Sequence, residues 1–315
     1  MNIKVIIIIL IGLIIIVGGF IYFSYRSDIK QVYKRVEREE SNILETSFGK
    51  VEYVSLGHGT PVLMVHGIVG GYDQAAETAK GLVGEGYQIL GVSRFGYLRS
   101  SLPEEGTPAN QARVYKELVD DLGIDKAVVI AVSAGGAPAI RFALNYPERT
   151  KALILVGSGA PVKGDIEGPT GPPAFVVNDF AFWSMLQNKK LILFKMFGID
   201  KELYQNATKE EKEELDEILD TLLPVKLRKP GIINDTKVTN RDMIDNYDQY
   251  KLEEIEAPTL IIHAKDDPMA SFESAADMAE RIPGAKFVQY EVGGHLLFGY
   301  GRELQNRITR FIREH

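Results

Sequence analysis

The sequence predicts an α/β protein. A mostly parallel, doubly wound sheet is interrupted by a helical insertion and preceded by one transmembrane helix. Three observations carry this. Short apolar runs such as Ala127–Val132 and Lys151–Val156 have the length and composition of strands buried on both faces. Amphipathic stretches such as Ala109–Leu122 alternate with them, the pattern of strand–helix–strand crossovers. Ahead of both, Val5–Tyr25 is 21 residues without a charge.

As a helix, Val5–Tyr25 would span ~31 Å, about one hydrocarbon core. It is longer than a signal-peptide core, no small-x-small cleavage site follows, and Tyr22 and Tyr25 suit a membrane interface. It is read as a single uncleaved anchor, with a long cleaved signal peptide as the alternative. Lys4 precedes it; Arg26, Lys30, Lys34, Arg35 and Arg38 follow. The positive-inside rule would put the following domain in the cytoplasm, whereas a signal anchor with so short a tail inserts the other way, so both orientations stay open. Residues 26–45 read as a charged, helical stalk.

The alternating part then runs in order. Val51–Ser55 and Val62–Val65 read as strands separated by the turn chemistry of Gly57-His58-Gly59-Thr60-Pro61. A helix is expected over Asp73–Val83, ended by Gly84 and Gly86, then a strand at Tyr87–Val92. Ala109–Leu122 is a helix closed by Gly123, Ala127–Val132 a strand, Ala137–Leu144 a helix stopped near Pro147, and Lys151–Val156 a strand. The alternation breaks near Pro161. Residues 161–250 begin with Gly168-Pro169-Thr170-Gly171-Pro172-Pro173 and continue as helical patterns rich in aromatics, with Thr208 and Glu211 spaced as a capping box. The aromatics Phe175, Phe180, Phe182, Trp183, Phe194 and Phe197 are read as core and pocket lining, with a lipid-facing patch as the alternative. Pro258–Ala264, Ser271–Arg281, Lys286–Glu291 and Leu296–Ile312 restore strand–helix–strand–helix. The expected organisation is an anchor at 1–25, a stalk at 26–45, a first part of the core at 46–160, a helical lid at 161–250 and a second part of the core at 251–315.

Composition narrows the chemistry. The chain has 315 residues, 36 Lys and Arg against 43 Asp and Glu, and no cysteine. Without cysteine there are no disulfides, thiolate metal sites or Cys nucleophiles. The net charge of −7 and the lack of a basic run give nucleic-acid binding no electrostatic support. No H-x-H, H-E-x-x-H or phosphate-loop pattern occurs, so neither a metal nor a cofactor is expected.

Three motifs remain. Ala131-Val132-Ser133-Ala134-Gly135-Gly136 joins a buried strand to a helix, and a serine on such a turn is raised above the sheet edge. Ala131 and Gly135 are small, as close strand–helix approach requires, and the helix N-terminus adds partial positive charge at the serine. His66-Gly67-Ile68-Val69-Gly70-Gly71 follows another strand and can offer backbone N–H groups to an oxyanion, with His66 structural. Gly293-Gly294-His295 lies between the last strand and the last helix. Of five histidines, His315 is terminal, His58 lies in a turn and His263 lies inside an apolar strand, which leaves His295 as general base. Asp266 and Asp267, in the loop after that strand, are the candidate carboxylates to orient it. Gly157-Ser158-Gly159 is set aside as a nucleophile because Pro161 follows and no helix opens there.

At these residues the chain resembles the α/β-hydrolase superfamily, in particular lidded serine hydrolases of esterase or lipase type, over roughly 48–315. The order Ser133, Asp267, His295 and the loop Val292-Gly293-Gly294-His295 carry the resemblance. It implies Asp267 as the acid with Asp266 as fallback, and oxyanion donation by the N–H groups of Ala134 and of Gly67 or Ile68. One departure is Ser93-Arg94-Phe95-Gly96-Tyr97-Leu98-Arg99-Ser100, where Ser93 replaces the usual aspartate; altered loop bracing is expected. Ser133 argues against dehalogenases and epoxide hydrolases of this fold, which use an aspartate nucleophile.

The expected function is a serine hydrolase anchored by residues 5–25, cleaving a carboxylic ester or related acyl bond of an apolar small molecule or lipid through an acyl-enzyme. Two alternatives use the same triad. One is carbon–carbon bond hydrolysis. The other is a proline-iminopeptidase-like activity, with Asp165, Glu167 and Asp179 binding a free amine. An anchored, non-catalytic binding protein is the reading from another class.

Overall fold

The structure is a computed structural model that describes residues 3–38, 41–164 and 170–315. A long helix α1 (Ile3–Arg38) comes first. It is followed by β1 (Asn42–Thr46), β2 (Gly49–Gly57), β3 (Thr60–Val65), α2 (Tyr72–Val83), β4 (Tyr87–Val92), α3 (Pro108–Asp121), β5 (Ala127–Val132), α4 (Gly136–Asn145) and β6 (Thr150–Val156). Helices α5 (Asp179–Leu186), α6 (Lys189–Leu191), α7 (Lys201–Asn206), α8 (Lys209–Asp220), α9 (Lys229–Asn234) and α10 (Asn240–Asp245) form the insertion. The core closes with β7 (Thr259–Ala264), α11 (Phe272–Arg281), β8 (Lys286–Tyr290) and α12 (Gly301–Glu314).

The eight strands form one sheet in the order β1-β2-β4-β3-β5-β6-β7-β8. β1 pairs antiparallel with β2 and β2 with β4; every pairing from β4 to β8 is parallel. Parallel pairing requires crossovers, and the helices cover both faces. Ala75, Ala79 and Leu82 of α2 and Leu304, Ile308 and Phe311 of α12 pack on one face. Tyr115 and Leu118 of α3, Ile140 and Phe142 of α4 and Met278 of α11 pack on the other. The burial of β3, β5, β6 and β7 on both sides explains why they read as unbroken apolar runs. Parallel register also brings the ends of β3, β5, β7 and β8 to one carboxyl edge, where their loops meet.

Three segments differ from expectation. The stretch 26–45 is not a free-standing stalk. α1 continues through Arg38 and docks on the insertion, and Asn42–Thr46 is already strand β1, in register with β2. A short edge strand with half its side chains in water carries little apolar signal. The last helix starts at Gly301 rather than at Leu296, because 294–300 are used in a turn with positive φ at Leu297 (49°) and Gly299 (87°). The aromatics of the insertion divide: Phe182 and Trp183 are buried, while Phe175 and Phe180 are exposed. The Thr208–Glu211 capping box is present at the start of α8.

α1 is long and apolar enough to cross a membrane, and the side chains of its apolar window are not buried against the rest of the chain. Its lower part is held by specific contacts. Trp183 Nε1 donates to Asp28 Oδ2 at 2.9 Å, Tyr33 Oη donates to Asp179 Oδ2 at 2.9 Å, and Ile29 is buried.

Candidate active site

Ser133 follows β5 directly, with φ of 51°. A non-glycine residue in this region stores backbone strain of about 1–3 kcal/mol, which persists only where the surroundings over-determine it. Here the constraint is visible at Gly135. A Cβ there would stand 2.6 Å from the Val65 carbonyl oxygen and 2.8 Å from that of His66. The turn therefore passes directly against the end of β3, and only glycine fits. Ala134 is buried in the same turn. Ser158, in the rejected second motif, is buried with its hydroxyl donating to the Gly159 carbonyl at 2.9 Å.

The two neighbouring aspartates are separated by geometry. Both Asp267 oxygens lie against His295 Nδ1, at 3.0 and 2.9 Å. The Asp267 side chain is fully buried, and Oδ1 also accepts from the amides of Met269 and Ala270 at 2.8 and 3.1 Å. Burial alone would raise this carboxyl; the hydrogen bond and charge of His295 and the two amides outweigh it and hold the carboxyl below the ordinary aspartate range. Asp266 instead accepts from the backbone N–H groups of Gly293 and Gly294 at 3.2 and 2.9 Å. One aspartate meets the imidazole and the other the loop that carries it.

That loop is also tied to the insertion. The His295 amide donates to the Phe197 carbonyl at 2.8 Å, and the Phe197 ring stacks on the imidazole at 8°. Gly294, at φ of 60°, passes so close to the Phe197 carbonyl that any side chain would collide. His263 is fully buried in β7, as expected of a core histidine; its Nε2 donates to the Ala270 carbonyl at 3.0 Å.

Ser133 and His295 open on one cavity of about 540 Å³. Gly67 and Ile68 line it beside Ser133. Val132, Val156, Phe197, Leu215, Leu219 and Phe298 make its apolar wall. His66 does not face it. Its Nδ1–H donates to the Gly67 carbonyl at 2.7 Å and its Nε2 accepts from the Arg94 amide at 3.0 Å, which fixes the tautomer. Burial, with the nearby Arg94 charge, holds His66 well below the ordinary histidine range, so it is neutral and structural.

Buried ion pairs not foreseen from the sequence fasten the insertion over this edge. Arg94 forms a bidentate pair with Asp235 across 141 residues. Arg228, with no exposed surface, pairs with Asp73 and donates to the Gly70 carbonyl at 2.6 Å. Arg35 of α1 reaches the same Asp73 at 3.1 Å. Ser93, at the position of the missing aspartate, accepts from the Tyr72 amide at 2.9 Å and so braces α2. No local sequence signal marks these pairs: Asp73, Arg94 and Asp235 stand among other polar residues and read as ordinary charges. Asp179, one of three residues considered for binding an amine, has both oxygens engaged by Tyr33 Oη and the Lys226 amide. Asp165 and Glu167 lie outside the described residues. Among the described residues no cluster of His, Asp and Glu could hold a metal ion.

Comparison with known proteins agrees with this architecture. A family model described as alpha/beta hydrolase fold matches residues 60–191, and one described as serine hydrolase matches 229–309. An uncharacterized hydrolase, YcgS of Bacillus subtilis, is 44% identical over 108 residues, which span 34% of this chain and 37% of that protein. A 2-hydroxy-6-oxononadienedioate/2-hydroxy-6-oxononatrienedioate hydrolase of Paraburkholderia phymatum is 27% identical over 256 residues, 78% of this chain and 84% of that one. Among solved structures, an alpha/beta hydrolase fold protein from Nakamurella multipartita superposes with a TM-score of 0.69 at 27% identity, covering 87% of this chain and 99% of the other. The chain is a hydrolase and belongs to the α/β-hydrolase superfamily.

Proposed function

We propose that the chain is a serine hydrolase, held in a membrane by residues 5–25, that cleaves a carboxylic ester or related acyl bond of an apolar molecule. The observation that carries this reading is the set Ser133, His295 and Asp267, whose first two members open on one apolar cavity while the third holds the imidazole from behind. Ser133 Oγ attacks the acyl carbonyl as His295 Nε2 takes its proton. The tetrahedral intermediate collapses, and His295 returns the proton to the departing alkoxide, leaving an acyl-serine. Water, deprotonated by the same imidazole, releases the acid. Asp267 keeps the proton on Nδ1 and stabilises the imidazolium. The oxyanion takes its hydrogen bonds from the N–H groups of Ala134 and of Gly67 or Ile68, each donor contributing about 3–4 kcal/mol to the transition state. The helices of the insertion act as a lid that walls the acyl site.

A second reading is favoured by the relative from Paraburkholderia, whose name denotes cleavage of a dioate. The same serine, base and oxyanion donors would then serve carbon–carbon bond hydrolysis. Charge favours the ester. Of the ionisable residues lining the cavity besides His295, Glu77, Glu211, Glu214 and Glu217 are acidic, and only Lys80 and Arg302 are basic. Such a lining repels a substrate bearing two carboxylates.

The test is turnover of p-nitrophenyl esters from acetyl to palmitoyl by the full chain in detergent, beside Ser133→Ala. Ester turnover that falls by about 10⁴–10⁶ in the variant is expected. A folded wild type inert to every ester but active on a 2-hydroxy-6-oxo-dienoate would replace this reading with the second.

A further inference from the structure

The lid carries aromatic surface that its own core does not use. On α5, Phe182 and Trp183 are buried, yet Phe180 on the same helix is 48% exposed and the preceding Phe175 is 81% exposed. Phe175 is tied to the N-terminal end of α5 by Asn178, whose Nδ2 donates to the Phe175 carbonyl and whose Oδ1 accepts from the Ala181 amide, both at 3.0 Å. Large rings left in water at one helix end mark a contact surface. The Phe180 ring stacks on Trp183 at 5.9 Å and meets Tyr25 of α1 edge-on at 5.2 Å.

Tyr25 is the last residue of the uncharged run, and Arg26 follows it. α1 is unbroken from Ile3 to Arg38, so no linker separates the run from the folded body. Phe20, Tyr22 and Phe23 are exposed; the first side chains of α1 to meet the lid are those of Tyr25 and Ile29. At ~1.5 Å per residue, Phe23 and Tyr25 are only ~3 Å apart along the axis. A bilayer that holds residues 5–25 therefore has its interfacial layer at Tyr25, and Phe180, touching Tyr25, at the same depth. The body has little freedom to swing away. The Asp28–Trp183 and Tyr33–Asp179 hydrogen bonds and the Arg35–Asp73 ion pair fix it against the helix.

We infer that Phe175 and Phe180 of the lid sit in the headgroup–acyl boundary of the bilayer that holds α1, extending onto the lid the aromatic belt begun by Phe20, Tyr22, Phe23 and Tyr25. This rests on the anchor reading of residues 5–25. Its partner is the lipid surface itself. Aromatic rings prefer this layer, and Arg26 and Lys30 stand next along α1 at the level of the phosphates.

The chain has no cysteine, so one can be introduced into the otherwise native protein. Phe175→Cys, Ile14→Cys and Lys209→Cys, each labelled with a nitrobenzoxadiazole dye, would be reconstituted in phosphatidylcholine vesicles. Nitroxide lipids would carry the spin label near the top or near the end of the acyl chain. Retained ester turnover shows that each labelled protein is folded. The expected result is about twofold or greater quenching at 175 by the shallow nitroxide, quenching at 14 by the deep one, and neither at 209, which is exposed on α8. Quenching at 14 without quenching at 175 overturns this inference and leaves the anchor intact. No quenching at 14 overturns both.

Discussion

Asp266 and Asp267 are adjacent, chemically identical and on one loop, yet they meet different parts of the histidine loop. Asp267 faces the imidazole; Asp266 caps the amides of Gly293 and Gly294 that set the loop's path. Asp267→Asn removes the acceptor that holds the Nδ1–H tautomer and should lower kcat by about 10⁴ with little change in KM. Asp266→Asn keeps one amide acceptor and should cost far less. Steady-state kinetics on a p-nitrophenyl ester separates the two, and the reverse ranking would reassign the acid. Spacing alone left both residues as candidates, because successive residues of a loop point in directions that only the folded backbone determines. Ser133 and His295 were legible for the opposite reason. Each is marked by its own neighbours, Ala131 and Gly135 for one and Gly293 and Gly294 for the other, since the close approaches there demand small residues locally.

At the scale of elements, the insertion is held to the carboxyl edge of the sheet by buried charges as well as by apolar contact. Arg94 lies in the loop after β4 and Asp235 in the π-helical segment that joins α9 to α10; both are almost fully buried and joined by two hydrogen bonds. Burying such a pair brings little net stability, but removing one partner strands the other charge in a site without water. Asp235→Ala should therefore lose about 3–5 kcal/mol in urea unfolding, and Asp235→Asn less, because it still accepts a hydrogen bond from Arg94. A loss below about 1 kcal/mol for the alanine variant would mean that Arg94 finds another partner or water. The sequence carried no trace of this pairing, because its members are 141 residues apart and each alone looks like an ordinary loop charge. It did carry α8, whose capping box is a matter of three residues' spacing.

At the scale of the molecule, Asp73 is where the three parts of the chain meet. It heads α2 in the core, Arg228 comes from the helical insertion, and Arg35 comes from α1. Burial pushes the Asp73 carboxyl up, but the two guanidinium groups more than offset that and hold it below the ordinary range. A depressed carboxyl contributes stability that is fully present above the unfolded pKa, near ~4, and is lost as pH falls through the folded value. The melting temperature should thus hold steady above about pH 5 and fall below pH ~4. In Asp73→Asn the curve should start lower and bend less. An identical acid limb in the variant would mean that Asp73 takes no part in the loss. Asp267 and the surface carboxyls of Glu253, Glu273 and Glu314 are depressed as well, so the variant's limb should be shallower rather than absent.

The sequence by itself determined the alternation of strands and helices, the place of the helical insertion, and the loops that carry the serine, the glycine-rich turn and the histidine. These follow from contacts within a few residues: continuous apolar runs for strands buried on both faces, helical periodicity, and glycines where backbones touch. Only the tertiary structure decided which aspartate faces His295, that Asn42–Thr46 joins the sheet, that the charged helix after the apolar run docks on the helical insertion, and which of the insertion's aromatics stay exposed. The choice of aspartate and the docking of the charged helix depend on partners 28 and 155 residues away, whereas Asn42–Thr46 pairs with the neighbouring β2 but shows too little apolar signal to be read as a strand. No local pattern specifies such a partner, because the free energy that selects it comes from desolvation and pairing that exist only once the chain has folded.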